Sequence, residues 1–327
     1  MKREYWVDNA KSIACFLVVF GHLLQSLVKS EILNVSVIYS WFNTTIYYFH
    51  VPVFFIASGY LYQHSLKSES HLKNCFSKIV NLGIPYVVFS TITYLLKYVM
   101  GNSINTKLDT NLLTCLLVDP ISPYWFLYIL LVCFIFFGVI KSNKQLKIYT
   151  VLILIFIVIR ITGYSFGIVI VDKFIIYSVY FFLGMLISYY NFSIKHRYNW
   201  LFILFIPISF WSYKIGIPIL GLTMSLLGIG FVFYLSGLKY TYVGRKMSEY
   251  FMPIYLLHTL SASFIRIILL KVGVTNSVIH IILGIIFSFI IPVIIAYITS
   301  KIVIFDFFFY PEKTIKKMRL TGGTKPK

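Results

Sequence analysis

The chain of 327 residues is 59% apolar and 12% charged, with a mean hydropathy of +0.85, which excludes a soluble globule because its surface would need far more charge. A formal charge of +19 would suit a nucleic-acid reader only if the bases were gathered on one solvated face. They fall instead in short clusters between apolar segments, so topology accounts for them, no nucleic-acid partner is expected, and the lipid bilayer is the expected solvent.

Apolar stretches of about 17 to 25 residues, each long enough to cross the hydrocarbon as a helix, recur along nearly the whole sequence. They predict an all-α polytopic bundle of about ten spans. In chain order these are Ala10–Val28, Tyr47–Tyr62, Ile79–Met100, Tyr124–Ile140, Ile148–Gly163, Phe174–Tyr190, Trp200–Tyr213, Gly216–Leu238, Phe251–Leu270 and Val278–Ile304. Pro207 interrupts the seventh. Because no extended soluble region separates them, one membrane domain over 1–327 is expected, with a core of about 5–305 and a basic tail from 311. Met1 to Asp8 is polar and the first apolar segment lacks a small-residue cleavage site, so that span is expected to stay.

An even span count puts both termini on one side. Loops on that side hold Lys67, Lys73, Lys141, Lys144, Lys147, Lys195, Arg197, Lys239, Arg245 and Lys246, and the tail adds Lys313, Lys316, Lys317 and Arg319. The opposite loops hold mainly Lys29, Lys107, Lys173 and Lys271, so the positive-inside rule predicts cytoplasmic termini. No internal repeat or low-complexity tract is evident, which weakens an inverted-repeat transporter architecture.

The first span carries a polar stripe. Lys11 and His22 are eleven residues apart, which leaves them within about 20° on one helix face and about 16 Å apart along the axis. Asp8 precedes Lys11 on nearly the same face, and Cys15 and Ser26 extend the line. An imidazole at that depth must face protein or a wet cavity. Near neutral pH it can take a proton from a hydroxyl and return it to a leaving thiolate, while Lys11 is placed to meet phosphate. The packing alternative is that His22 bonds a neighbouring helix and Lys11 snorkels to the interface.

Later segments add candidates. Tyr48-Phe49-His50-Val51-Pro52-Val53-Phe54-Phe55-Ile56-Ala57-Ser58-Gly59-Tyr60 places His50 near one end of the second span, where it can approach His22 in depth. Ser58 and Gly59 lie about two turns further on and read equally as small residues for close helix approach. Trp125 opens the fourth span as an interfacial aromatic, and His258 is a third histidine inside a span, with Arg266 two turns later. His64, His71 and His196 fall in loops, and His280 is interfacial. A metal held by His22, His50 and His258 would lack the local spacing or carboxylate such sites use, so no metal is expected. Cys15, Cys75, Cys115 and Cys133 show no metal or disulfide framework. None of the ten acidic residues lies mid-span, which shifts weight from proton-coupled transport toward group transfer.

The segment Trp6-Val7-Asp8-Asn9-Ala10-Lys11-Ser12-Ile13-Ala14 leading to Val18-Val19-Phe20-Gly21-His22 resembles the start of the acyltransferase-3 family of membrane proteins, especially its fucose 4-O-acetylase-like branch. Its hallmark is an arginine, ten residues, then a histidine; here Lys11 stands at the arginine position and His22 matches the histidine. Phe49 to Phe55 with Ser58-Gly59-Tyr60, then Pro85-Tyr86, Trp125-Phe126-Leu127, Phe182-Leu183-Gly184 and Tyr255-Leu256-Leu257-His258, follow in the family's order over about 5–300. A lysine keeps the charge but not the bidentate grip of a guanidinium.

The resemblance implies an O-acetyltransferase of the bacterial inner membrane. It would use acetyl-CoA as co-substrate and act on capsule, exopolysaccharide, lipopolysaccharide or a lipid-linked oligosaccharide precursor. On that reading His22 is the base, Lys11 meets the coenzyme's phosphates, Asp8 orients Lys11, and His50, Ser58, Trp125 and His258 attend the acceptor. A homo-oligomer is compatible with it. A carrier or flippase for lipid-linked sugars, or a non-catalytic partner in polysaccharide export, would use the same cations and aromatics without chemistry.

Overall fold

A computed structural model of the protein describes residues 4–65, 70–100, 111–192, 203–215, 220–237 and 242–321. Lys67, Lys107, Lys195, His196, Arg197 and Lys239, the first residues of the expected seventh and eighth spans, and 322–327 of the tail lie outside the described residues. The described elements are helical: α1 (Tyr5–Lys29), α2 (Val37–Ser65), α3 (His71–Lys78), a π-helical turn (Ile79–Gly83), α4 (Ile84–Met100), α5 (Leu112–Leu117), α6 (Trp125–Phe136), α7 (Asn143–Thr162), α8 (Val169–Tyr189), α9 (Phe205–Ile215), α10 (Leu220–Gly237), α11 (Tyr242–Glu249), α12 (Phe251–Lys271), α13 (Ser277–Thr299), α14 (Val303–Phe309) and α15 (Pro311–Thr321).

Every expected span overlaps a described helix, but only six helical segments among the described residues are long and apolar enough to cross a bilayer: Tyr5–Lys29, His71–Val99, Asn143–Thr162, Val169–Tyr189, Phe251–Lys271 and Ser277–Thr299. The others are long but polar or apolar but short. α2 runs 29 residues and is diluted by Asn43, Thr44, Thr45, His50 and Gln63, whereas α6 spans 12 residues, about 18 Å. α9 covers 11 residues. Where the third span was expected to start at Ile79, a continuous rod begins at His71 and widens into the π turn just before Pro85. A proline lacks the amide proton and crowds the carbonyl four residues back, and a widened turn absorbs both effects.

The chain divides into two compact units, Met1–Ser68 with Gly138–Phe251, and Glu69–Phe137 with Met252–Lys327. In the first unit α2 packs along α8, with α1 against α2, α10 and α11. Glycines set the α2–α8 spacing: a Cβ on Gly59 would lie 2.0 Å from the Phe181 carbonyl oxygen, and one on Gly184 would lie 2.0 Å from that of Ile56. Only hydrogen at both positions permits backbones this close. In the second unit Tyr124, fully buried, hydrogen-bonds the Leu256 carbonyl at 2.9 Å and shares a 2.9 Å hydrogen bond with Thr93, while the Tyr255 hydroxyl donates to the Pro123 carbonyl. These bonds tie the start of α6 to α12 and satisfy phenol groups that water cannot reach.

Candidate functional site

α1 presents its stripe to protein. Cys15, between Lys11 and His22 on nearly the same face, is 3% exposed, and Val18 beside it is also buried, whereas Phe16 points outward at 42%. Lys11 and His22 themselves are half-buried. The start of α1 is fixed by three polar bonds: Asn9 Nδ2 to the Ser236 carbonyl at 2.9 Å, Ser12 Oγ to the Gly244 carbonyl at 2.8 Å, and Ser248 Oγ to Asp8 Oδ1 at 2.8 Å. Asp8 therefore accepts a hydrogen bond from α11, a contact the stripe alone did not reveal.

At the other end of the stripe His22 meets α2. Tyr47 stands edge-on to His22, with ring centroids 6.3 Å apart at 87°, and edge-on to His50 at 4.6 Å and 85°. One phenol thus links the two imidazoles that the sequence placed at similar depth. His50 is 1% exposed and its Nδ1 faces the Ile46 carbonyl. Because a carbonyl only accepts, Nδ1 carries a proton, and in the neutral ring Nε2 keeps its lone pair. Gln25 Nε2 donates to Asn43 Oδ1 at 3.1 Å one turn beyond, extending a polar layer between the helices.

Asn43, Tyr47 and His50 follow i, i+4, i+7 spacing and His22 and Gln25 follow i, i+3, so two polar stripes face each other. The spacing on α2 was readable from sequence. That the stripes meet was not.

A further residue escaped notice in the sequence. Arg160 Nη1 donates to the Tyr180 hydroxyl at 2.6 Å, and its guanidinium lies 5.3 Å from that ring's centroid. Tyr177, three residues earlier on α8, stacks on Phe55 at 4.9 Å and lies within electrostatic range of both Arg160 and Tyr47. A charged residue in an apolar run is the signal that should have flagged it.

The remaining candidates divide. Ser58 is half-buried beside Gly59, whose role is helix approach. Trp125 and His258 belong to the second unit. There His258 is 1% exposed, with Nδ1 donating toward the Tyr255 and Ile254 carbonyls at 2.8 and 3.1 Å, and Arg266 is buried on the same helix. Among the described residues no three histidine, cysteine, aspartate or glutamate side chains gather as a metal set. A cavity of about 360 Å³ opens at the start of α1, lined among the described residues by Glu4, Trp6, Tyr60, His64, Ser188 and Phe233 with four others.

No solved structure matches the chain. A curated relative, nodulation protein NolL of Mesorhizobium japonicum, is 29% identical over 149 residues, which is 46% of this chain and 39% of that protein. The NolL of Sinorhizobium fredii is 29% identical over 133 residues, 41% of this chain and 35% of that protein. The matched stretches thus span less than two fifths of these relatives. The profile of the acyltransferase-3 family, described as an acyltransferase domain, matches residues 4–297 and so takes in α1 with its stripe and most of both units. The chain is an all-helical, multi-pass membrane protein that belongs to the acyltransferase-3 family.

Proposed function

We propose that the protein transfers an acetyl group from acetyl-CoA to a hydroxyl of a bacterial cell-surface polysaccharide or its lipid-linked precursor, as one catalytic membrane domain in the inner membrane with both termini cytoplasmic. The observation that carries the reading is the wall of α1. It is turned into protein, with a cation near one end and at the other an imidazole linked through Tyr47 to a second imidazole whose tautomer is fixed. Such an arrangement would suit a thioester donor that keeps its phosphates at the aqueous end while its acyl carbon reaches a base at depth.

In this mechanism Lys11 meets the coenzyme's phosphates, with Asp8, tied to Ser248, holding that end of the helix. The His22 imidazole takes the proton of the acceptor hydroxyl as its oxygen bonds to the thioester carbon. The carbon–sulfur bond then breaks, and the imidazolium returns the proton to the coenzyme thiolate, giving an acetyl ester and free thiol. The Tyr47 ring, packed edge-on against both imidazoles, holds His22 in orientation. His50 and Ser58, in the same unit as His22, are proposed acceptor contacts.

The test is purified full-length protein in detergent with radiolabelled acetyl-CoA and a glycan acceptor. His22→Ala should lower kcat at least 10²-fold, the scale of a lost general base. Lys11→Ala should raise KM for the donor by about tenfold, as loss of a charge-assisted phosphate contact does, and Lys11→Arg should restore it. Full transfer by His22→Ala would refute the base assignment.

A further inference from the structure

The cavity at the start of α1 is separate from the His22 wall, and its chemistry is specific. Trp6 stands edge-on to Tyr60 at 4.9 Å and to Phe233 at 5.4 Å, and Tyr60 stacks on His64 at 5.7 Å and 8°. Tyr5 and Phe192 line the same space and are exposed, at 42% and 67%. Two polar groups are set among these rings. Glu4 contributes a carboxylate within electrostatic range of Tyr60. Ser188 is 2% exposed, and its hydroxyl has no hydrogen-bond partner among the described residues. A buried orphan hydroxyl is costly unless something else completes it.

A carboxylate repels phosphate, so an anion is the wrong occupant. A flat, neutral, aromatic group bearing an amine suits the site: the rings supply stacking surface, the carboxylate accepts from the amine, and the hydroxyl donates to a ring nitrogen. Glu4 also caps the N-terminus of α1, seven residues before Lys11 and about 27 Å along the axis from His22. A ligand with an aminopurine at one end, phosphates next and a thioester last would follow that axis in order.

We infer that this cavity binds the adenine base of the acyl donor, with Glu4 reading the exocyclic amine and Ser188 a ring nitrogen. The inference rests on the acetyl-CoA reading above and adds a base-recognition site to it.

The test is calorimetric binding of CoA, and of CoA whose adenine has been deaminated to hypoxanthine, to the full-length protein in detergent. Helix content is checked by circular dichroism. The wild type should prefer CoA by about tenfold, the scale of one charge-assisted hydrogen bond. Glu4→Gln should abolish or reverse that preference, because its amide can donate to the hypoxanthine carbonyl, an outcome a purely structural glutamate would not produce. Ser188→Ala should weaken both ligands about threefold to tenfold with the preference kept. Equal affinity of the wild type for the two ligands overturns the proposal, and if His22-dependent transfer from acetyl-CoA persists in that case, the donor reading stands without it. Failure of CoA to bind or to donate overturns both.

Discussion

At the scale of single residues the helix crossing of α2 and α8 is the least forgiving feature. Gly59→Ala would place a methyl 2.0 Å from a backbone oxygen that has no rotamer to change, so the helices must part. The expected cost is about 1–3 kcal/mol, read as a lower thermal midpoint in detergent. Gly83→Ala is the control, because a Cβ there meets nothing nearer than Leu131 Cδ2 at 3.7 Å, and its midpoint should not fall. Equal midpoints for the two variants would contradict the close-approach account. Ser58-Gly59 thus shows what sequence discloses and what it withholds: the pair was legible as small residues for packing, whereas the partner, Phe181 on α8, depended on tertiary contact. The Lys11–His22 face was legible because helical spacing fixes it. Tyr47, which links His22 to His50, looked like one more aromatic in a chain with 26 tyrosines.

Among the elements, α6 departs most from the sequence reading. A helix was expected through Ile140, but it stops at Phe136 and the chain runs on extended and largely buried. Non-helical backbone in an apolar setting needs partners, and side chains supply them. Gln63, fully buried, accepts from the Ile140 amide at 2.8 Å and donates to its carbonyl at 3.0 Å, and Tyr149 accepts from the Gly138 amide at 2.8 Å. Gln63 lies just past the expected end of the second span, so apolarity gave no hint of this clamp. Gln63→Leu should strand both Ile140 groups and cost about 1–3 kcal/mol for each, with a midpoint drop larger than that of Gln63→Glu, which keeps an acceptor for the amide.

The short helix α15 is held differently. Glu312 pairs with Lys316 at 2.7 Å and accepts from Ser77 at 2.7 Å and from Asn81. Lys316 above all, with those two hydrogen bonds, holds the carboxyl down to about 2 from its ordinary 4.5. A depressed folded-state pKa means the stabilisation is present above 4.5 and is lost as pH falls toward 2. Amide exchange in α15, corrected for intrinsic rate, should therefore quicken as pH is lowered through that window, and Glu312→Gln should flatten the response.

For the whole molecule, the class was legible and the count was not. Composition and apolar segment length pointed to a membrane helical protein, and each expected span overlaps a described helix. Six segments among the described residues meet the length and apolarity of a crossing, because α2 carries polar residues such as Asn43, His50 and Gln63 and α6 gives way to clamped extended chain. Polar groups within α2 and a break in α6 each lower a segment's apolarity, so a hydropathy reading is weakest at such elements. The division into two units was likewise invisible, since each is assembled from two stretches distant in sequence.

The proposed mechanism requires one thioester donor to lie along α1 with its acyl end at His22. A CoA analogue carrying a photoreactive group in place of the acetyl tests this directly, by irradiation with the full-length protein and mapping of the adduct by mass spectrometry. Labelling in the second half of α1 or at Tyr47–His50, competed away by acetyl-CoA, is the predicted result. Competable labelling confined to helices other than α1 and α2 would contradict the account.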